Sequence, residues 1–135
     1  MKRYVCFLTL IFLINLLSAC SISSTSKNSS IHVIELSHAT CRTTSGVQID
    51  SNSISAQDGK WLLLSVDNMG SSPVLVFSEN DKENKVSIDS GNTGALSKEI
   101  GSIPKNYGFK VVSADPGSEI YVSYTLTQST SQPST

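Results

Sequence analysis

The residues best suited to metal chemistry recur every three positions, as His32, Glu35, His38 and Cys41. All four side-chain types can bind zinc. Their neighbours are mainly β-branched and poor helix formers, which predicts a strand. On a strand, residues 32 and 38 would face one side while residues 35 and 41 face the other. The four side chains could not then meet at one ion, and we predict no metal site.

A dense charged run at 79–85 is followed closely by the oxygen-rich segment 89–94. Such segments can bind calcium, but Gly91 stands where an EF-hand needs its third-position ligand, and the final Glu is missing. We therefore predict a solvated hairpin tip, which is also the best candidate for a partner-binding loop because loops on a rigid scaffold often carry binding. The predicted loop residues are Glu79, Asn80, Asp81, Lys82, Glu83 and Asn84.

No pattern in the chain indicates catalysis. Neither G-x-S-x-G nor H-E-x-x-H occurs, and both histidines lie in one early segment. A serine is a weak nucleophile without a positioned base, and the scattered carboxylates do not single out an acid–base pair. We predict that the protein is not an enzyme and that it uses no cofactor.

Aromatic side chains offer a different kind of chemistry. Tyr107, Tyr121 and Phe77 could lie on outer faces, where they would stack on sugars or pack in a protein interface. Partial burial in the core is the commoner explanation for such residues, and it is the interpretation that we favour for all three. Trp61 is predicted to anchor the core.

Composition excludes two classes of protein. The chain has 135 residues, is 39% hydrophobic and carries 10 basic against 11 acidic side chains. That hydrophobic content argues against intrinsic disorder. The charge balance, without a basic cluster, argues against a nucleic-acid partner.

The N-terminus has the pattern of an export signal. Lys2 and Arg3 precede an apolar run at 5–17, and the run is followed by Ser18, Ala19 and Cys20. It suits a signal peptide and is shorter than the roughly 20 residues of a membrane span. The segment Leu17-Ser18-Ala19-Cys20 resembles the lipobox of bacterial lipoproteins. The resemblance covers residues 1–20 of the 135, and it does not extend to the rest.

The resemblance implies that the Cys20 thiol carries a diacylglyceryl group, that a peptidase cuts between Ala19 and Cys20, and that the new N-terminus is acylated. Two or three acyl chains anchor a protein stably, whereas one does so only marginally. Ser21 replaces the Asp that retains such proteins in the inner membrane, which favours an outer membrane, facing the periplasm or the cell surface. The alternatives are an ordinary secretory signal or a retained transmembrane helix.

Cys41 would be the one free thiol after this processing, because Cys6 lies in the leader. Free cysteines are commonly buried as small apolar residues. An intermolecular disulfide is the other interpretation, which an unpaired cysteine in an exported protein permits.

The chain divides into four predicted segments: a signal peptide at 1–19, a lipidated cysteine and tether at 20–30, a folded domain at 31–126 and a disordered tail at 127–135. Seven of the ten residues at 21–30 are Ser or Thr. A flexible segment of that length has a root-mean-square span of about 17 Å.

Within the folded domain, short apolar runs alternate with Gly, Pro, Asn and Ser clusters. Strands are predicted at 31–36, 46–49, 61–66, 74–77, 86–88 and 107–112, with a weak one near 95–100. The clearest is 119–127, where apolar and polar residues alternate strictly. Ala114–Ser118 would join the last two strands as a hairpin turn. We predict an all-β antiparallel sandwich of about seven or eight strands, with a small barrel as the alternative.

Anchor and fold together predict a non-enzymatic accessory module of the cell envelope, as in secretion or pilus assembly, with an envelope protein as partner. The likeness to such accessory proteins rests on the architecture and the anchor, not on a sequence motif. The first or last strand could also pair with a partner strand. A carbohydrate- or small-ligand-binding lipoprotein and an envelope-protecting inhibitor or exclusion factor are the alternatives.

Overall fold

A computed structural model describes residues 32–51, 54–55, 57–101 and 107–134. The lipobox, with Ala19 and Cys20, and the predicted tether lie outside these residues. The described residues form eight strands, which are β1 (Val33–Thr43), β2 (Val47–Ser51), β3 (Trp61–Asn68), β4 (Val74–Ser78), β5 (Asp81–Ile88), β6 (Thr93–Glu99), β7 (Tyr107–Ser113) and β8 (Ile120–Ser129).

The strands form two antiparallel four-stranded sheets that pack as a sandwich. The first sheet has the order β1-β8-β3-β6 and the second the order β2-β7-β4-β5. This confirms the predicted all-β sandwich. The barrel alternative is wrong, because each sheet as described has two edge strands and does not close. β8 lies between β1 and β3, so of the first and last strands only β1 has a free edge.

The core follows from alternation along the strands. In β3, Leu62, Leu64 and Val66 are fully buried between the sheets, while the residues between them are half-buried on the outer face. Trp61 belongs to that outer set and is not part of the core cluster. The prediction that Trp61 anchors the core is therefore wrong: this strand is apolar on both faces, so hydrophobicity alone did not reveal its inner side.

The predicted C-terminal hairpin is also wrong. β7 pairs with β2 and β4, whereas β8 pairs with β1 and β3 in the other sheet. The turn itself forms, since Ser118 N donates to Asp115 O over 3.1 Å and Gly117 has a φ of 83°. Pro at its second position and a positive φ at its third make it type II. Type I and II turns splay the strands they join, and this one carries the chain from one sheet to the other.

The sandwich extends beyond its predicted end at Leu126. β8 continues through Ser129, and Gln128 is only 1% exposed. The Gln128 Nε2 donates to the carbonyl oxygens of Ser55 and Gly59, over 2.7 and 2.9 Å. The polar sequence suggested a tail that starts at Thr127. The Gln128 side chain is instead buried, where it donates hydrogen bonds to two backbone carbonyls of the β2–β3 connection.

None of the residues that the structure describes forms a helix with the length and hydrophobicity that a bilayer crossing requires.

Candidate functional site

The sandwich has two ends that differ in what they carry. The near end holds the start of β1, the end of β8 and the β4–β5 turn at 79–80. The far end holds the connections at 44–46, 69–73, 89–92 and 114–119. The chain enters the described domain at His32, which is hydrogen-bonded to Thr130 at the near end.

A cleft of about 410 Å³ opens at the far end. Its walls are the β3–β4 loop at 69–72 on one side and the end of β1 with the start of β8 on the other. The cleft is lined by Arg42, Met69, Gly70, Ser71, Ser72, Ser118, Glu119 and Tyr121. We refer to it as the far-end cleft.

Arg42 is the cationic group of the far-end cleft. Its Nε lies 3.3 Å from Glu119 Oε1, and its guanidinium carbon lies 4.6 Å from the centre of the Tyr121 ring. More than half of the Arg42 and Glu119 side chains is exposed, so the ion pair contributes at most about 1 kcal/mol to stability. Its effect is geometric: pairing on one side and stacking on a ring fix the guanidinium plane.

Asn68 fixes the loops that form the cleft. Its side chain is almost fully buried; Nδ2 donates to Ser72 O over 2.9 Å and to Ile88 O over 3.0 Å, and Oδ1 accepts from Gly70 N over 3.1 Å. These bonds join the 69–73 loop to the end of β5. The 69–73 loop is therefore held in place by hydrogen bonds within the protein.

Met69 gives the rim of the cleft an apolar group. It is 42% exposed although its backbone N is fixed by Tyr121 O over 2.8 Å. Arg, Tyr and Met are the residue types enriched in protein interfaces, where Lys and Glu are depleted. The arrangement suits contact with a protein surface.

The predicted partner-binding loop has a different structure. Only Glu79 and Asn80 form the turn, while Asp81, Lys82, Glu83 and Asn84 belong to β5. The β4–β5 register is irregular here, because Ser78 pairs with Asp81 and Phe77 pairs with Lys85. The predicted solvated hairpin tip is confirmed at 79–80, but the tip is shorter than the charged run, because the bulge takes residues 81–84 into the edge strand β5. That these residues bind a partner stays a prediction.

The bulge places Asp81 next to the other sheet. Its Oδ2 accepts from Asn84 Nδ2 over 2.7 Å and from Lys98 Nζ on β6 over 3.1 Å. The hydrogen bond from Asn84, and then that from Lys98, lower the pKa of the Asp81 carboxyl below its ordinary value of 3.8. A carboxyl with a lowered folded-state pKa stabilises the fold above its unfolded pKa, and this contribution is lost as pH falls through the folded pKa.

We expect Asn84→Ala to raise the pKa of Asp81 towards its ordinary value, and Lys98→Met to raise it less. A ¹³C NMR titration of the side-chain carboxyls between pH 2 and 6 would measure both shifts. Lys82→Met, on an exposed neighbour in the same strand, serves as the control and should leave the Asp81 titration unchanged. An unchanged Asp81 pKa in Asn84→Ala would contradict the assigned cause.

The spaced His, Glu and Cys residues do not form a cluster. A bulge between Glu35 and Ser37 alters the face pattern, so that Glu35 and His38 both face outwards while Cys41 faces inwards opposite Val122. The His38 Nδ1 instead lies 2.9 Å from Thr125 Oγ1. The expectation that residues 35 and 38 face opposite sides is wrong because the bulge adds one residue. Within the described ranges, no three His, Cys, Asp or Glu side chains are placed to hold a metal ion.

The aromatic candidates separate into three environments. Tyr107 is 7% exposed in the core, where its hydroxyl accepts from Gly101 N over 3.0 Å, which confirms core burial, the favoured interpretation, for this residue. Phe77 is half-buried on the outer face of the second sheet, beneath Lys85. Tyr121 lies in the far-end cleft. The sequence does not indicate that Tyr121 lies near Met69, because their proximity depends on the strand order.

Cys41 is partly buried on the inner face of edge strand β1, and it is a free thiol in the part of the chain that the structure describes. Its role stays open between the two interpretations of the sequence.

Comparison of the chain with protein-family models, curated proteins and solved structures finds no match. The function must therefore be inferred from its own residues.

Proposed function

We propose that the protein is a lipid-anchored, non-enzymatic interaction module of the bacterial cell envelope. Cys20 carries the anchor, and the Ser-rich segment links it to the near end of the sandwich. An outer membrane, with the domain facing the periplasm, is the proposed location; the cell surface is the alternative. The partner is an envelope protein that contacts the far-end cleft.

The observation that supports this proposal is the placement of the cleft relative to the entry of the chain. β1 begins at Val33 on the near end and reaches Arg42 at the cleft. Nine residues of strand span about 30 Å. An anchor upstream of His32 would therefore attach the domain at its near end and leave the cleft, at the opposite end, free to meet a partner.

The far-end cleft fits a protein partner better than a catalytic role. Arg42 and Tyr121 form a stacked pair, Met69 supplies an exposed apolar group, and Asn68 holds the loops in one arrangement. A preformed surface loses little conformational entropy on binding. Confinement to the membrane also raises the effective concentration for a membrane partner.

The anchor can be tested by replacing the cysteine that carries it. We expect Cys20→Ala to lose the acyl mass and to leave the membrane fraction, because lipid chains are the proposed attachment. Mass spectrometry of the mature N-terminus and fractionation of cells would measure both effects. Cys41→Ala is the matched control, and it should stay lipidated and membrane-bound. A wild-type protein without an acyl group on Cys20 would refute the anchor.

The cleft can be tested by site-specific photocrosslinking in intact cells. A photoreactive residue at Met69 should give a discrete adduct with an envelope protein, and Arg42→Ala should reduce that adduct at least about fivefold, as expected for an interface Arg. A photoreactive residue at Asp50, exposed on β2 of the second sheet towards the near end, is the control. Equal adducts from both positions, or an adduct insensitive to Arg42→Ala, would refute the site.

A further inference from the structure

A second concavity lies at the open edge of the sandwich, far from the far-end cleft. Its volume is about 350 Å³, and it is formed between the β4–β5 hairpin of one sheet and β6 of the other. Its lining residues are Ser78, Asp81, Asn84, Leu96, Ser97 and Lys98. We refer to it as the edge pocket.

Ser78 is the residue that indicates a ligand-binding role for the edge pocket. The residue is 2% exposed, and its Oγ has no hydrogen-bond partner among the described residues. A buried hydroxyl without a partner is unfavourable, and such groups are uncommon in native proteins. An alanine would fill the same position without that penalty. The hydroxyl is explained if a bound molecule supplies its partner.

The neighbouring side chains define what that molecule offers. Asp81 Oδ2 is occupied by Asn84 and Lys98, but no hydrogen bond within the described residues engages Asp81 Oδ1 or the Asn84 carbonyl oxygen. Lys98 has three N–H donors, of which Asp81 takes one. The pocket therefore presents acceptors and donors side by side. One carboxylate and one ammonium group also leave it without net charge.

A ligand for the side chains of the edge pocket must both donate and accept hydrogen bonds. It should itself be neutral, because the pocket carries no net charge. Hydroxyl groups do both. Leu96, which packs on the core, supplies an apolar wall for C–H groups. The volume is at the lower end of the range for ligand clefts, about 300–1,000 Å³, which limits the ligand to about one sugar ring.

We propose that the edge pocket binds a small neutral polyol, of the size of a monosaccharide, through Ser78, Asp81, Asn84 and Lys98. The β-bulge that brings Asp81 and Asn84 opposite Lys98 creates the site. This activity is separate from partner binding at the far-end cleft, and either can fail without the other.

The experiment is an NMR titration of the full-length protein in a detergent that contains no sugar. The probes are glucose, galactose, N-acetylglucosamine and myo-inositol, with glucuronate and glucosamine as charged analogues. We expect at least one neutral probe to give saturable shifts of amides at 78–98, with a dissociation constant on the order of 1–10 mM. The charged analogues should bind no more tightly.

Two variants separate binding from folding. Ser78→Ala should weaken the best neutral probe about fivefold while its melting temperature stays the same or rises, because the Ser78 hydroxyl has no partner among the described residues to lose. Ser87→Ala, an exposed serine of the same hairpin, is the matched control and should bind as the wild type does. Lys98→Met should weaken the neutral probe and shift preference towards glucosamine, since the pocket then carries a negative charge.

The proposal is overturned if no neutral probe gives saturable shifts at 100 mM, or if the shifts lie outside the edge pocket. It is also overturned if Ser78→Ala binds like the wild type, or if glucuronate binds more tightly than every neutral probe.

Discussion

Replacement of Gly59 by alanine is expected to destabilise the domain by at least about 3 kcal/mol, a large part of the roughly 5–15 kcal/mol by which a domain is stable. A Cβ at this position would collide with the backbone carbonyl of Ser129 and would lie 2.8 Å from the backbone N of Thr130. Backbone atoms in the last strand cannot move aside as a flexible side chain would. The φ of Gly59, 143°, is itself unfavourable for any residue with a side chain.

A second consequence of Gly59→Ala concerns Gln128. The carbonyl oxygen of Gly59 accepts from Gln128 Nε2, which is buried. Displacing the β2–β3 connection would therefore leave a buried donor with one partner fewer, which adds to the loss of stability. The total loss of stability in Gly59→Ala should therefore exceed the loss that backbone strain alone would cause.

Gly117→Ala provides the matched control, because Gly117 also has a positive φ, 83°, but has open space where its Cβ would lie. Only conformational strain applies there, at about 1–2 kcal/mol. Urea unfolding of the full-length protein would measure both variants. If Gly59→Ala loses no more stability than Gly117→Ala, the close approach of Ser129 to Gly59 is refuted.

Local pattern was sufficient to predict most of the strands. The alternation of apolar and polar residues from Ile120 to Leu126 shows a strand with one buried face, and the structure agrees. The sheet to which a strand belongs is a long-range property. β7 and β8 are adjacent in sequence, but their partners lie up to 96 residues away, as Ser129 pairs with Val33. The type II geometry of the Pro116-Gly117 turn was the one local signal against a hairpin.

The functional surfaces were harder to predict than the strands, because each combines residues from distant segments. Arg42 lies beyond the predicted end of the first strand at residue 36. The strand has a bulge between Glu35 and Ser37 but continues to pair with β8 as far as Thr43. The charged run at 79–85 was visible in the sequence. Its meeting with Lys98 and the buried Ser78 depends on another bulge and on the packing of two sheets.

Asn68→Ala should cost about 3 kcal/mol, more than any exposed polar substitution at the far end. The change removes one acceptor and two donors that the loops use, and it leaves the carbonyl oxygens of Ser72 and Ile88 and the Gly70 N without that partner. Asn92→Ala, on an exposed side chain of the neighbouring loop, is the control and should stay within about 0.5 kcal/mol of wild type. Thermal unfolding followed by circular dichroism would measure both.

Asn68→Asp tests the hydrogen bonds of this residue apart from its shape, because Asp has nearly the same shape but lacks the Nδ2 donors. The variant keeps an acceptor for Gly70 N but directs a buried carboxylate at two carbonyl oxygens, so at pH 7 we expect it to be less stable than Asn68→Ala. Burial and those oxygens should raise the pKa of the introduced carboxyl. A raised folded-state pKa means that stability returns as pH falls and the protonated acid donates one of the lost bonds.

The same variants connect the stability of the far-end loops to binding. Because Met69 and Gly70 follow Asn68 directly, loss of its hydrogen bonds should loosen the wall of the far-end cleft before the sheets unfold. Asn68→Ala should therefore reduce the Met69 photocrosslink even at temperatures where the domain is folded, whereas Asn92→Ala should not. An undiminished crosslink in a folded Asn68→Ala protein would show that the partner does not need the loops held as the structure has them.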